Sequence, residues 1–301
     1  MTDSLRISVV VPTYNRIDTL RHVIPALLAQ DVGAEAFEVI VADSRSNDGT
    51  AGYLAEMSRS APGLRHLPGD YTGRASARNA GIAAARAPLV LFTDADIIAS
   101  RDLLARHLAQ HADGVPKAVV GCEVQVDSYE QYVYKRDHPA ARKPLHPASR
   151  TRISWLYFLT GNASVRTVDL RRVGGFDEDF TGYGHEDLEL GYRLERAGIP
   201  IHYAADAVNY HWHPVPFDQQ QGRMELAGRS TVRFFRKHPS FDVQLRLGMT
   251  PVSLWAHALV DRMPKLRGWI ESGARSPGFA RTLSFQYHYL TGIKAALRDT
   301  P

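Results

Sequence analysis

"RISVVVPTYNR", Arg6 to Arg16, decides how the rest of the chain is read. A short β-branched run closed by Pro12 is the pattern of a strand buried on both faces. Behind it, Asp18 is placed to cap a helix in which Leu20, Val23, Ile24, Leu27 and Leu28 recur at helical spacing. "FEVIVADSRSNDGT" (Phe37–Thr50) repeats the unit as an apolar strand, a loop of Asp, Ser, Asn and Gly, and a helix through Tyr53 and Leu54. "LRHLPGD" (Leu64–Asp70) reads as a third strand and the alanine-rich "GRASARNAGIAAARA" (Gly73–Ala87) as a helix. "PLVLFTDADII" (Pro88–Ile98) reads as a fourth strand with acids at its exit. Strands alternating with helices specify an α/β fold, a doubly wound, mostly parallel sheet covered on both faces. Such sheets bind ligands beyond the carboxyl ends of their strands, where "PTYNR", "DSRSNDGT" and "TDAD" all fall.

A chain of 301 residues with 44% hydrophobic content can build a sizeable core. The net charge is only +4, and Lys and Arg crowd around 135–152 and after 221. That distribution argues against a nucleic-acid partner and leaves room for a local anionic one. The single cysteine, Cys122, cannot form a disulfide within the chain and sits in the apolar run "AVVGCEVQV", the setting of an inert buried thiol in a reducing compartment. No apolar stretch reaches the length of about eighteen residues needed to span a bilayer. "MTDSLRISVVVP" also lacks the layout of a signal peptide. The expected location is cytoplasmic, free or resting peripherally on the inner face of a membrane.

"YKRDHPAARKPLHPASR" (Tyr134–Arg150), basic and punctuated by proline, reads as a long loop, either a connector or a lid over an anionic substrate. Strand and short-helix patterns return in "WLYFLTGNASVRTVDLRRVGGFDEDF". A helical C-terminal extension is expected over 216–301, where aromatics are mixed with Arg and Lys. Packing on the core is the expectation for these helices, and a peripheral membrane contact or a homodimer is the alternative.

Several groups could carry chemistry. Asp94 and Asp96 share a side if the strand stays extended, giving two hard oxygen donors for Mg²⁺ or Mn²⁺. His211 and His213 in "NYHWHP" share a face in the same way, and imidazole beside carboxylates suits Mn²⁺. Asp43 could accept the N3–H of uracil or thymine, or, like Asp48, only shape a turn. Arg74 and Arg78 could meet phosphate or base, although Arg78 could equally be an exposed helix residue. "GYGHEDLELGYRLERAG" (Gly182–Gly198) gathers Glu186, Asp187 and Glu189 at the start of a helix in which Leu188, Leu190, Tyr192 and Leu194 pair four apart. Gly198 stands at its C′ position. Acids offset the dipole there, and a carboxylate so placed is expected to stay ionised at neutral pH, as a general base must be.

The order of these blocks, "VVVPTYNR", "DSRSNDGT", "GRASARNAGIAAA", "LVLFTDADI" and "TGNASVRTVDLRRVGGFDEDFTGYGHEDLELGYRLERAG", resembles the family 2 glycosyltransferases of GT-A fold over residues 6 to 213. The resemblance implies a catalytic domain over 1–215, with a nucleotide-binding half to about 125 and an acceptor-binding half beyond it. It implies transfer of a sugar, with inversion, from a nucleoside-diphosphate donor, a UDP-sugar favoured, to a glycan or lipid-linked hydroxyl, as in polysaccharide biosynthesis of the cell envelope. Carried over by motif, Pro12, Thr13, Tyr14, Arg16, Asp43, Arg74 and Arg78 would hold the nucleotide. Asp94 and Ala95 would face the ribose or the metal, Asp96 and His211 would ligate Mn²⁺ or Mg²⁺ with His213 next, and Asp187 would be the base beside an acceptor-binding Glu186. Glu189 is read as structural. One departure is Asp43-Ser44, where many relatives have two adjacent aspartates, which bears on base preference. A sugar-phosphate nucleotidyltransferase is the nearest rival, but "PTYNR" has no glycine for a phosphate loop. A non-catalytic nucleotide-sugar or carbohydrate-binding protein is the other.

Overall fold

The computed structural model describes residues 5–142, 151–214, 216–273 and 278–299. The chain divides into two compact units, one from residues up to 179 plus 186–214, the other from 180–185 plus the chain from 215 onward.

The first unit follows the alternation read from sequence: β1 (Ile7–Thr13), α1 (Ile17–Leu28), β2 (Phe37–Asp43), α2 (Thr50–Ser60), β3 (Leu64–Pro68), α3 (Arg74–Ala84) and β4 (Leu89–Phe92). There follow β5 (Ile97–Ala99), α4 (Leu103–Gln110), β6 (Ala118–Val126), α5 (Tyr129–Asp137) and β7 (Thr151–Ile153). The unit ends with β8 (Ala163–Arg166), α6 (Thr167–Arg172), α7 (Glu186–Arg196) and β9 (Ile201–Trp212). One sheet has the order β3-β2-β1-β4-β8-β6-β9-β5, with β7 also paired to β9. From β3 to β4 every pairing is parallel, and β1 is hydrogen-bonded on both sides and wholly buried, as its continuous valines require. Beyond β4 the sheet becomes mixed, because β8 enters antiparallel to both β4 and β6.

A bulge between Gly121 and Cys122 shifts the β6–β9 register. Any Cβ on Gly121 would collide with the Ala207 carbonyl and the Asn162 amide, so only glycine fits. Beyond the bulge, Glu123 lies opposite Asn209 and Gln125 opposite His211, which re-aims these side chains. Cys122 is buried, as expected.

Three local expectations are corrected. Asp18 does not cap α1: Arg16 holds the N-cap position without a side-chain bond, and Ile17 N–H donates to Asp48 Oδ2 at 2.9 Å. The fourth strand ends at Phe92, and residues 94–97 form a turn closed by Ile97 N–H on the Asp94 carbonyl at 3.1 Å. Asp94 and Asp96 therefore do not share a side by strand alternation. The loop expected from Tyr134 begins instead as the last turn of α5 and a 3₁₀ turn at Pro139–Ala141, and the lid reading falls mostly on 143–150, outside the described residues.

The second unit holds α8 (Phe217–Lys237), α9 (Phe241–Arg246), α10 (Pro251–Asp261), α11 (Pro264–Gly273) and α12 (Phe279–Arg298). Gly228 and Gly292 let α8 and α12 touch backbone to backbone, since a Cβ on either would strike a carbonyl of the other helix. Val232, Met249 and Ile293 form its core. Residues 180–185 dock on α8, with Phe180 edge-on to Phe234 at 6.5 Å and Ser230 Oγ donating to the Tyr183 carbonyl at 3.1 Å. Among the described residues no helix is long and apolar enough to cross a membrane.

Candidate active site

The loops after β1 and β2 are tied into one rim. Asp48 accepts from Ile17 N–H and from Thr50 Oγ at 2.7 Å. Burial works to raise this carboxyl, and those donors outweigh it and hold it below the usual range. Asn15, at φ +51, accepts from Asn47 N–H at 2.9 Å and donates its own N–H to Ser46 Oγ at 2.8 Å. Asp43 is buried, and both its oxygens are engaged: Oδ1 accepts from Ser46 N–H and Oγ, while Oδ2 meets His66 Nε2 at 3.2 Å. The turn-forming reading of Asp43 is thus realised in the structure. Pro12 and Thr13 are buried beneath the rim and Tyr14 is 60% exposed on it. The hydroxyls of Thr13 and Thr93, at the carboxyl ends of β1 and β4, are buried without a hydrogen-bond partner.

Behind this rim a buried guanidinium joins two distant parts of the chain. Arg78, on α3, is 2% exposed and therefore not the surface residue that was one reading of it. Its Nη2 donates to Asp94 Oδ1 at 2.8 Å and its Nη1 to Glu186 Oε1 at 3.1 Å, while the guanidinium lies 5.5 Å over the Phe176 ring. Phe176 is held there because Asn79 bonds its N–H and its carbonyl, and Gly175 at φ +67 shapes the turn before it. Glu189 is buried in a two-pronged pair with Arg193, which also donates to the Gly175 carbonyl and so anchors α7. Burial tends to raise Asp94, but the charge of Arg78, with Arg74 behind it, holds its carboxyl low. Asp187 behaves in the opposite way: burial, with the negative charge of Glu186, pushes it up to about 7 against the pull of Arg78. The expectation that a helix N-terminus alone keeps Asp187 ionised is corrected accordingly.

The second cluster forms where β9 ends beside the Asp94–Ile97 turn. Trp212 N–H donates to the Asp96 carbonyl at 2.8 Å, which brings the flanking histidines onto the Asp96 side chain. His211 Nε2 is 3.6 Å from Asp96 Oδ1 and His213 Nδ1 is 3.5 Å from Asp96 Oδ2, with the two rings stacked at 6.0 Å. Burial and Asp94 raise the Asp96 carboxyl. Burial alone would lower His211, but its hydrogen bond with Glu123 reverses that and raises it. His211 Nδ1 meets Glu123 Oε1 at 3.0 Å, leaving Nε2 toward Asp96, the way carboxylates orient metal-binding histidines. Among the described residues no three such side chains form a ready-made metal cage. The donor set, carboxylate oxygen plus imidazole nitrogen, nevertheless fits Mn²⁺ or Mg²⁺.

Asp94, Arg78, Glu186 and Asp187 are brought together, as are Asp96, His211 and His213. Arg74 and Arg16 act on Asp96 through their charge. Ala95 is buried with its carbonyl occupied by Thr19 Oγ at 2.7 Å. Reading "AVVGCEVQV" as an apolar run does not single out Glu123. Its signal was present, since Glu123 and Gln125 alternate with Cys122, Val124 and Val126.

Comparisons with known proteins identify the family and the fold. The model of "Glycosyl transferase family 2" matches residues 8–174, and that of "N-terminal domain of galactosyltransferase" matches 146–213. Validoxylamine A glucosyltransferase of Streptomyces hygroscopicus subsp. jinggangensis is 33% identical, over 85% of this chain and 67% of that protein. Pre-mycofactocin glycosyltransferase of Mycobacterium tuberculosis is 27% identical, over 83% and 52%. The chain thus spans about two thirds or less of the length of these curated relatives. Among solved structures, the mannosyltransferase PcManGT of Pyrobaculum calidifontis, in complex with GDP-Man and Mn²⁺, matches at TM-score 0.66 and 23% identity, over 100% of this chain and 89% of that one. S. aureus TarS in complex with UDP matches at TM-score 0.58 and 19% identity, over 98% and 92%. The fold is that of the GT-A glycosyltransferases, and by its family match and its glucosyltransferase relative the chain belongs to glycosyl transferase family 2.

Proposed function

We propose that the chain transfers a sugar, with inversion, from a nucleoside-diphosphate donor, a UDP-sugar favoured, to a glycan or lipid-linked hydroxyl. The observation that carries this reading is the Asp94–Arg78–Glu186 bridge, which sets the acidic turn after β4 next to the start of α7. Donor-side and acceptor-side carboxylates then flank one reaction centre. The relatives are named as glycosyltransferases, and two structural neighbours hold a nucleotide or nucleotide sugar.

Asp187 takes the acceptor's hydroxyl proton as that oxygen attacks the anomeric carbon, and the bond from that carbon to the diphosphate oxygen breaks on the opposite face. A carboxyl poised near neutrality is suited to the task, being ionised in a large fraction of molecules while still basic enough to draw the proton. Glu186, fixed by Arg78, positions the acceptor side. The rim of Pro12, Thr13, Tyr14 and Arg16, with Asp43 beneath it, seats the nucleoside, and Arg74 meets the phosphates. Asp96 and His211, with His213 and Asp94 beside them, would hold Mn²⁺ or Mg²⁺. The metal would supply charge neutralisation on the departing diphosphate.

Calorimetric titration of UDP with Mn²⁺ or with EDTA tests the donor site. Binding should need the metal and be lost in Asp96→Asn. Asp187→Asn should abolish transfer and leave UDP binding intact, and persistent transfer in that variant would remove Asp187 as the base.

A further inference from the structure

Helix α10 sets Leu254 against the core of the unit and turns polar His257 and Asp261 toward α12. His257 is 4% exposed, stacked on Tyr287 at 4.7 Å and 2.9 Å from Thr291 Oγ. Asp261 accepts from the Tyr287 hydroxyl at 2.8 Å and from Lys294 Nζ at 2.7 Å. Facing out instead are Val252, Trp255, Ala256 and Leu259, with Met263 just beyond the helix end. Those positions, at spacings of three, four, seven and eleven from the first, form one stripe along a helix. Val252 is 74% exposed and Trp255 68%. Phe241, Trp269 and Phe279 of the same unit are also more than half exposed. A helix that faces only water carries the reverse pattern, and a contiguous apolar face with a polar rim marks a surface that something covers.

Charge identifies the occupant. Residues 216–301 contain thirteen Lys and Arg against six Asp and Glu, a net +7, whereas the whole chain carries +4. The apolar stripe has no acid on its outward side, and it runs directly into exposed Arg262 and Lys265. Tryptophan, aliphatic side chains and flanking Lys or Arg make up helices that lie in a lipid interface. We propose that α10 and the start of α11 form a docking surface for an anionic lipid bilayer, with the apolar stripe in the headgroup region and Arg262 and Lys265 on the lipid phosphates. This inference does not depend on the proposed reaction.

Sedimentation of the full chain with vesicles tests it, using phosphatidylcholine alone and phosphatidylcholine with about one third phosphatidylglycerol. Binding is expected only to the anionic vesicles, weakened by salt at about 0.5 M. It should fall at least roughly tenfold in Trp255→Ser/Leu259→Ser, two stripe residues that are 68% and 45% exposed. Val252→Ser/Met263→Ser should act in the same way, which keeps the test valid if the first variant folds poorly. No binding by the wild type would overturn the proposal, as would binding that both variants retain. Light scattering that showed a dimer dissolved by the same substitutions would assign the face to a second copy and overturn it too.

Discussion

Replacing Arg78 by Met keeps much of the aliphatic stem and deletes the charge, which tests whether one buried guanidinium holds the site together. Arg78 is 2% exposed, and the side chains of its partners Asp94 and Glu186 are 25% and 6% exposed. Removing one member of a buried ion pair costs about 3–5 kcal/mol, because the surviving charge stays out of water. Two carboxylates are orphaned here, but Asp94 keeps part of its surface in solvent, so its share is screened. The expected loss therefore remains about 3–5 kcal/mol, carried mainly by Glu186. For a unit of this size that corresponds to a fall in Tm of roughly 6–20 °C. The pH dependence has a definite sign. In the wild type Asp94 is held low, so it stabilises the fold above its unfolded pKa and that contribution is lost as the pH falls through the folded value. Without Arg78, burial is opposed only by Arg74 and His211 at Asp94 and by backbone N–H groups at Asp187, so both ionise less readily in the folded state. The gap between variant and wild type should then narrow as the pH falls from about 8 toward about 5. Urea unfolding followed by far-UV circular dichroism measures both effects. In Arg78→Met/Glu186→Gln one orphaned charge is gone, and about 1–3 kcal/mol should return. A loss below about 1 kcal/mol near neutrality, or a double variant no more stable than the single one, would refute the buried-pair account.

Initial rates of sugar transfer should rise with a single ionisation near pH 7 as Asp187 deprotonates, and a profile flat from about 6 to about 9 would contradict its role. Burial lowers His107 to about 4 and His111 to about 3, so both stay neutral in the fold while the unfolded chain protonates near 6.5. Their contribution is complete above that value and is lost as the pH falls toward the folded values, at up to about 1.4 kcal/mol per pH unit for each histidine. Melting curves from pH 7.5 to 5, run beside His107→Gln, should show a steeper acid decline in the wild type. Glu123→Gln should weaken Mn²⁺ binding roughly 10- to 100-fold, read by electron paramagnetic resonance, by loosening His211 without removing a ligand.

The parallel half of the sheet was legible because each strand is an apolar run and each loop is marked by Pro, Gly, Asn or Asp. What the sequence could not display were pairings between distant segments. Asp18 looks like a cap by proximity, but Asp48, thirty-one residues from Ile17, takes the N–H in question. The antiparallel course of β8 follows from where it must fit between β4 and β6, which no local pattern records. Arg78 belongs to a helix whose small residues pack it close to the sheet, and only its partner 108 positions away distinguishes a buried bridge from a solvated arginine. The place of Asp94 and Asp96 just beyond a buried strand is legible in the sequence, but the turn that sets their directions is not. The turn that brings Asp96 to the histidines depends on β9, which lies more than a hundred residues downstream.

The start of α7 shows why a local rule was insufficient at the most informative position. The dipole of a helix N-terminus favours the ionised form of Asp187, and acting alone it would leave a weak base far below neutrality. Burial and the adjacent Glu186 push the other way, and Arg78 pulls back toward ionisation. Glu186 and Arg78 are themselves hydrogen-bonded, so the charge that opposes ionisation of Asp187 is partly compensated by the charge that favours it. The resulting value near 7 is a balance between burial and two segments distant in sequence, α3 and α7. The acidity of Asp187 therefore depends on the assembled fold and could not be assigned from its own surroundings in the sequence. The same bridge that stabilises the unit sets the strength of the proposed base, so substitutions at Arg78 should move stability and the pH profile together.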